Sequence, residues 1–438
     1  MKNLPAKEAL KHASNEEATP ADLHELAQHA DHSVKLRVAS NPNTAEHTLQ
    51  HLHDNAHLFG ENAWRIKTAV ANNDNAPAHL VNDKIKNFDP KKEQTNYRSD
   101  LDYLVVHPKA YPDVVNKKMH SMIESESKDE EGKPQSIPFD TRWAAEKWLK
   151  GPHSTNEDAA KYLDHHDKEL SLSALESGKL KESQLSDHLA KQNKLNFGKA
   201  DKIVDNHSDL SPDFLKGLHK RASDEYEANK EDSDYSYGRD FHSLKSSIYD
   251  HPNVPKEVLD NEIEHGGSEE GHHYYGNEPR IKAFKHPSID PAVVDAKART
   301  GDDDAIRAAL QRPDTEPSLL EHMWGKFGKA NKKNSSWQDQ GRKADIIRHP
   351  NFPEALAKKE ASKDTELARR LLEKKNLSPD MLKEIVMHKN QDVALEALKH
   401  PNVDQSVVEH AFKRKAAEVS RAASNHPLAT AEMKAQKV

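Results

Sequence analysis

The chain has 438 residues, of which 32% are charged and 34% hydrophobic, with 29 histidines, no cysteine and a formal net charge of −8. The lack of cysteine excludes disulfides and thiol chemistry and is typical of an intracellular protein, for which we expect a cytoplasmic location. The N-terminal segment has no apolar core, and no run of about 18 apolar residues occurs. The sequence therefore predicts neither a secretory signal nor a membrane-spanning helix.

Two short helices separated by a turn form a pattern that recurs about fourteen times. Residues 393–412 show it clearly, with apolar residues at helical spacing on both sides of His400-Pro401. Pro401 ends the first helix because it lacks a backbone donor and restricts the residue before it. Asp404 stands at the N-cap position of the second helix. Neither helix is long enough to be stable alone, so the pattern predicts an all-α solenoid of stacked repeats.

In chain order, residues 1–30 are predicted as a half repeat or N-terminal cap, residues 31–426 as repeats, and residues 427–438 as a C-terminal cap. The last four turns, at residues 349, 375, 400 and 426, are 26, 25 and 26 residues apart. No linker interrupts the array, so we expect one continuous domain. The turns are Asn41-Pro42, Asn72-Asn73, His107-Pro108, Gly151-Pro152, Ser177-Gly178, Asn206-His207, His251-Pro252, His286-Pro287, Arg312-Pro313, His349-Pro350, Lys375-Asn376, His400-Pro401 and His426-Pro427.

One stretch carries a resemblance to a known repeat. Residues 34–52, VKLRVASNPNTAEHTLQHL, resemble the variant leucine-rich repeat, in which a valine-arginine helix is followed by Asn-Pro-Asn-Thr and a leucine helix. That resemblance implies a right-handed superhelix of about 13–14 repeats, each pairing an α-helix with a short α- or 3₁₀-helix, with HEAT-like packing as a close neighbour. The chain departs from the family in its long insertions and in lacking the cysteines of an iron–sulfur module. Such repeats are scaffolds and imply no activity.

Six insertions share one position in the repeat, after the second helix of one unit and before the first helix of the next. Equivalent positions in a solenoid lie along one edge, where inserted loops often bind a partner. The alternative is tolerated surface length, because long loops cost little extra entropy. The insertions cover residues 54–62, 89–96, 124–140, 222–240, 265–277 and 328–342.

Two of these regions supply candidate partner-binding residues. A basic segment combines cations with aromatic rings, which suits nucleic acid or an acidic protein surface, or else a solvated loop whose tryptophans pack on the nearest helix. Its candidates are Trp324, Lys326, Lys329, Lys332, Lys333, Trp337, Arg342 and Lys343.

Two acidic loops are rich in tyrosine, which favours protein contact. Their candidates are Tyr235, Tyr237, Tyr274 and Tyr275. Opposite charges along one edge also permit self-association.

The histidines prompt a metal hypothesis, for example at His47, His51, His53 and His57 or around His265, His272 and His273. A zinc site needs three or four converging ligands, and HExxH is absent. At least six histidines stand instead before proline in the turns, where a side chain can cap neighbouring backbone groups along a ladder. We predict no metal and no cofactor.

We find no phosphate-binding glycine loop, nucleophile elbow or nucleophile–base pair, so the sequence predicts no enzyme. One enzyme alternative is a DNA glycosylase built from HEAT-like repeats, for which Trp143 and Trp148 lie beside Arg142 and Glu146. The net acidic charge and the lack of a sustained basic stripe on the first helices argue against it.

The expected function is a non-enzymatic repeat scaffold that binds another protein or assembly through its extended surface and inserted loops. The alternatives are a structural component of a larger assembly, such as a virus particle, and a nucleic-acid-binding protein. No membrane contact is expected.

Overall fold

The computed structural model describes residues 1–89, 100–129, 131–229, 235–266, 278–330 and 335–436, and it divides into two units, residues 1–253 and 254–438. Within these ranges the chain forms 28 α-helices, one 3₁₀-helix and no β-strand. The predicted all-α class is confirmed.

In unit 1, first and second helices alternate along the chain. First helices pack on the first helices of neighbouring repeats, as between α1 and α3 or α9 and α11. The first helices are α1 (Ala6–Ala13), α3 (His32–Ala39), α5 (Ala63–Ala71), α7 (Leu101–Leu104), α9 (Phe139–Lys150), α11 (Lys168–Leu175), α13 (Phe197–Asn206) and α15 (Tyr235–Asp250). The second helices are α2 (Pro20–Leu26), α4 (Glu46–Asp54), α6 (Ala78–Asn87), α8 (Pro112–Glu126), α10 (Asn156–Tyr162), α12 (Glu182–Ala190) and α14 (Pro212–Asn229).

Unit 2 follows the same order, starting with a second helix. Here too each first helix packs on the next, as α19 does on α17 and α21. The first helices are α17 (Glu278–Lys285), α19 (Asp303–Gln311), α21 (Trp337–Arg348), α23 (Thr365–Leu372), α25 (Gln391–Leu398) and α27 (Ala417–Ser424). The second helices are α16 (Lys256–His265), α18 (Pro291–Thr300), α20 (Pro317–Phe327), α22 (Glu354–Glu360), α24 (Pro379–Val386), α26 (Gln405–Phe412) and α28 (Ala431–Ala435).

Three parts of the array differ from the expected pattern. The N-terminal half repeat is a full pair, because α1 precedes α2 and buries Ala9 and Ala13 completely. The insertion at residues 222–240 is largely helical, since α14 runs on to Asn229 and α15 starts at Tyr235. The insertion at residues 54–62 contains the 3₁₀-helix Ala56–Asn62. Residues 90–99 and 267–277, which hold most of two others, lie outside the described residues.

The helices begin where the sequence predicts. Asp404 accepts a hydrogen bond from the Val407 amide at 2.9 Å, and Ser378 accepts one from the Met381 amide at 3.3 Å. Proline follows the cap in α2, α18 and α24, where its missing N–H leaves no bond unmade. These caps satisfy amides that a two-turn helix cannot bond internally.

A polar ladder connects the turns of unit 1. The side-chain amide of Asn73 donates to the carbonyl oxygens of Ala39 and Asn41, at 2.9 and 2.8 Å. His107 Nε2 donates in turn to Asn73 O at 3.0 Å. His251 Nε2 likewise donates to His207 O at 2.9 Å. Asn73, His107 and His251 therefore each cap a carbonyl at the helix end or turn of an earlier repeat, as predicted for the turn histidines.

The ladder recurs in unit 2 with histidine and arginine. Arg312 donates to Phe284 O at 2.9 Å, and His349 Nε2 donates to Arg312 O at 2.8 Å. The amide N–H of Asn351 donates to His349 Nδ1 at 3.1 Å. A ring that donates at Nε2 and accepts at Nδ1 must be neutral, so these bonds require an uncharged imidazole.

We expect the repeats to lose stability in acid, because burial favours the uncharged form of two histidines whose rings make no ladder bond within the described residues. Burial lowers the pKa of both His207 and His388, and His388 Nδ1 accepts the Asn390 N–H at 2.9 Å. A folded-state pKa below the unfolded value of about 6.5 gives stability that is complete above that pH and is lost as the pH falls below it. The Tm of the full chain should therefore fall between pH 7 and pH 5.

The variant His388→Asn should reduce this loss, because asparagine accepts the same N–H and cannot become charged. Amide hydrogen exchange in α24 and α25 measures the effect locally. Asn substitution of the exposed His410 in α26 is the control and should leave the pH dependence unchanged. Equal acid sensitivity of both variants would contradict this role of the buried His388 ring.

Candidate partner-binding surface

The basic segment of unit 2 places two of its candidates in the interior. Trp324 is buried on α20, with its ring centroid 5.6 Å from that of Phe352. Lys343 is buried on α21, forms an ion pair with Asp364 and lies 5.8 Å from the Trp324 ring. Trp324 thus matches the alternative in which a tryptophan of this segment packs on a nearby helix.

The other candidates of this segment differ in accessibility. Arg342 forms ion pairs with Asp303 and with Asp339, the latter at 3.1 Å. Lys326 lies over the Phe327 ring at 5.2 Å, and Lys329 is exposed. Trp337, at the start of α21, is 79% exposed. Lys332 and Lys333 lie outside the described residues.

The tyrosine candidates are only partly described. Tyr237 on α15 is half-buried, and its ring centroid lies 4.8 Å from that of Phe197. Burial, with the nearby Glu225 carboxylate, raises its pKa. Tyr235 is the first residue of α15, while Tyr274 and Tyr275 lie outside the described residues. Tyr237 is therefore held within unit 1 by aromatic packing.

The tryptophans of the glycosylase alternative have different environments. Trp148 is completely buried, and its Nε1 donates to Asn116 Oδ1 at 2.8 Å, so it is not available to stack on a base. Arg142 donates to Ile137 O at 3.0 Å, and Glu146 pairs with Lys150 at 2.9 Å. Trp143 alone of the two rings reaches the surface.

Exposed aromatic rings occur on three first helices of unit 1. Phe139 and Trp143 on α9 are 68% and 39% exposed and stack with centroids 6.0 Å apart. Trp143 Nε1 donates to Asp102 on α7 at 3.1 Å, which fixes the indole. Tyr103 on α7 and Trp64 on α5 are 49% and 48% exposed. Large apolar side chains displayed on one layer of helices are typical of a partner-binding surface.

The first helices of the first three repeats are also strongly basic. Helices α1, α3 and α5 carry one carboxylate, Glu8, and six cations, all at least partly exposed. None of the six has a carboxylate within ion-pair distance among the residues that the structure describes. We call this the cationic surface; its residues are Lys7, Lys11, Lys35, Arg37, Arg65 and Lys67. This surface was missed in the sequence analysis, which considered whether basic residues recur on all the first helices and not on the first three alone.

Two of these cations contact aromatic rings. Lys35 lies 4.1 Å from the centroid of Phe59, which belongs to the 3₁₀-helix of the first insertion. Burial lowers the pKa of Lys35. The Arg65 guanidinium lies 5.9 Å from the Trp64 ring.

A cavity of about 360 Å³ lies between α3 and α5 within the cationic surface. Thr68 Oγ1 and Asn72 Oδ1 are both buried and have no hydrogen-bond partner in the described part of the chain. Buried polar groups of this kind are costly unless they gain a hydrogen-bond partner. The cavity is lined by Leu36, Ser40, Trp64, Arg65, Thr68, Ala69, Asn72 and Asn73.

The histidine clusters serve contacts between helices. His24 Nδ1 lies 2.9 Å from Thr48 Oγ1, and its ring centroid is 5.0 Å from that of His47. His120 lies between Asp158, at 2.6 Å, and the Tyr162 hydroxyl, at 2.5 Å, and so ties α8 to α10. Burial raises the pKa of Tyr162, which keeps its hydroxyl protonated.

Over the described ranges, no group of three or more histidine and acidic residues is placed to hold a metal ion. His272 and His273 lie outside those ranges. None of the helices there is long and apolar enough to cross a membrane.

Comparison with known proteins gives no relative from which a function could be transferred. No family model matches the chain, and neither does any curated protein. An engineered protein of known crystal structure is similar at 14% identity, over 95% of this chain and 92% of that chain, with a TM-score of 0.21. That TM-score is too low to indicate a shared fold.

Proposed function

We propose that the chain is a non-enzymatic repeat scaffold that binds another protein through the first-helix layer of unit 1. The observation that carries this proposal is the set of exposed rings on α5, α7 and α9. Aromatic side chains are favoured at protein interfaces because they bring a large contact area with little loss of conformational entropy. A relation to variant leucine-rich or HEAT-like repeats remains part of the proposal and rests on the sequence pattern alone.

The arrangement of α9 supports binding over simple surface exposure. Lys147 lies 5.7 Å from the Trp143 ring, and the Trp143 bond to Asp102 holds the indole in one orientation. Phe139 stacks on that ring and leaves most of its own surface in solvent. A rigid aromatic pair of this kind loses little freedom when a partner covers it.

The test is capture of partners from a lysate of the organism that makes the protein. The comparison uses a partner that the unchanged chain retains at high salt and after nuclease treatment. We expect the variant Trp64→Ser/Phe139→Ser to capture at least about tenfold less of this partner, because a few aromatic anchors dominate the binding energy. Both side chains are exposed, so the Tm should change little.

The matched control is Met387→Ser/Leu428→Ser, which removes two exposed apolar side chains from unit 2. We expect this control to retain the partner. Loss of the partner in both variants, or in neither, would contradict the proposed surface. Capture of nucleic acid alone, lost as salt rises, would favour the nucleic-acid alternative instead.

A further inference from the structure

We propose that the cationic surface of α1, α3 and α5 binds an acidic, extended segment of a partner protein, with the cavity between α3 and α5 accepting hydrogen bonds from it. This inference rests on the proposed function and names the chemistry of the partner.

The first step is charge complementarity. The six cations have no carboxylate partner among the described residues, whereas Lys109, Lys150 and Lys191 elsewhere in unit 1 each have one. Surface cations left together repel each other, and an anionic partner removes that repulsion. The second helices α2 and α4 of the same repeats carry the carboxylates Asp22, Glu25, Glu46 and Asp54 and no lysine or arginine.

The second step concerns the cavity. Thr68 is 9% exposed, and its Oγ1 and Asn72 Oδ1 are buried without a hydrogen-bond donor. A ligand that satisfies both groups must supply a donor to Asn72 Oδ1 as well as negative charge, because an amide oxygen only accepts. A polypeptide with acidic side chains does both, because each non-proline residue carries a backbone N–H. A phosphate group could accept from the Thr68 hydroxyl, but it has no donor for Asn72 Oδ1 and would leave that oxygen unsatisfied.

The third step concerns why the ligand is a polypeptide and not a nucleic acid strand. A strand carries a phosphate at every nucleotide and needs cations along its whole path. The strong excess of cations over carboxylates stops at α5, because α7 carries Asp102 and no lysine or arginine, and α9 carries Asp140 and Glu146 among its cations. Exposed rings continue there instead. A protein segment can change from acidic to apolar along its length, as this surface requires.

The experiment measures binding of a fluorescein-labelled peptide of about 12 residues, with glutamates spaced by glycine and serine, to the full chain by fluorescence anisotropy. We expect binding that weakens as salt rises and a loss of at least about tenfold in the variant Arg37→Glu/Arg65→Glu/Lys67→Glu. The control Lys374→Glu/Lys389→Glu/Lys415→Glu reverses three exposed lysines of unit 2 and changes the net charge equally. It should change affinity by less than about twofold.

A second variant tests the cavity without changing charge. Thr68→Val removes a hydroxyl that lacks a partner, so we expect weaker peptide binding together with an unchanged or higher Tm. In the control Thr44→Val the lost hydroxyl donates to Val38 O at 2.5 Å, so the Tm should fall while peptide binding per folded chain stays the same.

Three results would overturn the inference: no binding of the peptide by the unchanged chain, equal losses in the two charge-reversed variants, or tighter binding of a single-stranded oligothymidine of matched charge. Each of these leaves the proposed function standing if the Trp64→Ser/Phe139→Ser variant still loses its partner. If that variant keeps the partner while the peptide binds as expected, the aromatic surface is wrong and the cationic surface is right.

Discussion

Replacing Arg280 by alanine should cost about 3–5 kcal/mol of the free energy of unfolding of the repeats around it, because it removes one side of a buried ion-pair cluster. The guanidinium of Arg280 donates to Asp302 at 2.7 Å, to Asp304 at 3.2 Å and to Ile263 O at 2.8 Å. Without it, the two carboxylates and a carbonyl stay buried with no cation.

The two carboxylates of this cluster respond to burial differently. Burial raises the pKa of Asp304. Burial alone would also raise the pKa of Asp302, but hydrogen bonds and the positive charge of Arg280 hold it below its usual range. Asp302 also caps α19 by accepting the Ala305 N–H at 3.1 Å. Loss of Arg280 therefore weakens the start of α19 as well.

Urea-induced unfolding of the full chain, with hydrogen exchange in α17 and α19, measures this loss. The double variant Arg280→Ala/Asp304→Ala should recover part of it, since the most buried carboxylate is then absent too. Arg299→Ala is the control: it removes an exposed arginine whose partner Asp295 is also solvent-accessible, and it should cost less than about 1 kcal/mol. Similar losses for Arg280→Ala and Arg299→Ala would show that the buried cluster contributes little.

Replacing Asn73 by alanine should cost about 3 kcal/mol, because three hydrogen bonds of the ladder are lost at once and buried backbone groups remain unpaired. Besides its two donated bonds, Asn73 Oδ1 accepts the Asn75 N–H at 3.0 Å. The neighbouring Asn72→Ala should be close to neutral, since Asn72 Oδ1 has no partner in the described chain. Hydrogen exchange in α3 and α5 distinguishes the two variants.

The variant Asn73→His extends this prediction to pH. Histidine occupies the equivalent place in the next turn, where His107 donates at Nε2 and accepts the Lys109 N–H at 3.1 Å. We expect Asn73→His to restore part of the stability at pH 7.5 and to lose that gain at pH 5, because a protonated ring has no acceptor. A rescue that does not depend on pH would contradict this geometry.

Features that depend on contacts within one repeat could be predicted from the sequence. Proline and cap residues mark the helix ends because they act on the nearest amides, and α24 and α26 begin at the predicted caps. The ladder was also predictable, since turn residues such as His349 recur at a fixed place in the repeat.

Features that depend on contacts between repeats were harder to predict. Whether Trp324 binds a partner or packs inside depends on Phe352, which follows 28 residues later in the next turn. The length of an insertion does not show whether it continues a helix, as α14 does to Asn229. The cationic surface was missed because its charges are unremarkable in any one helix and become evident only when α1, α3 and α5 lie side by side.

The acceptors of the ladder are main-chain carbonyl groups, so the ladder places little restriction on how the amino-acid sequence of the accepting repeat evolves. Every residue type has a carbonyl group, so the residue capped by Asn73, His107 or Arg312 can be replaced without breaking the bond. A repeat that keeps its own turn residue can follow almost any other repeat. Duplication or loss of whole repeats then preserves the connection between neighbours while their outer side chains diverge.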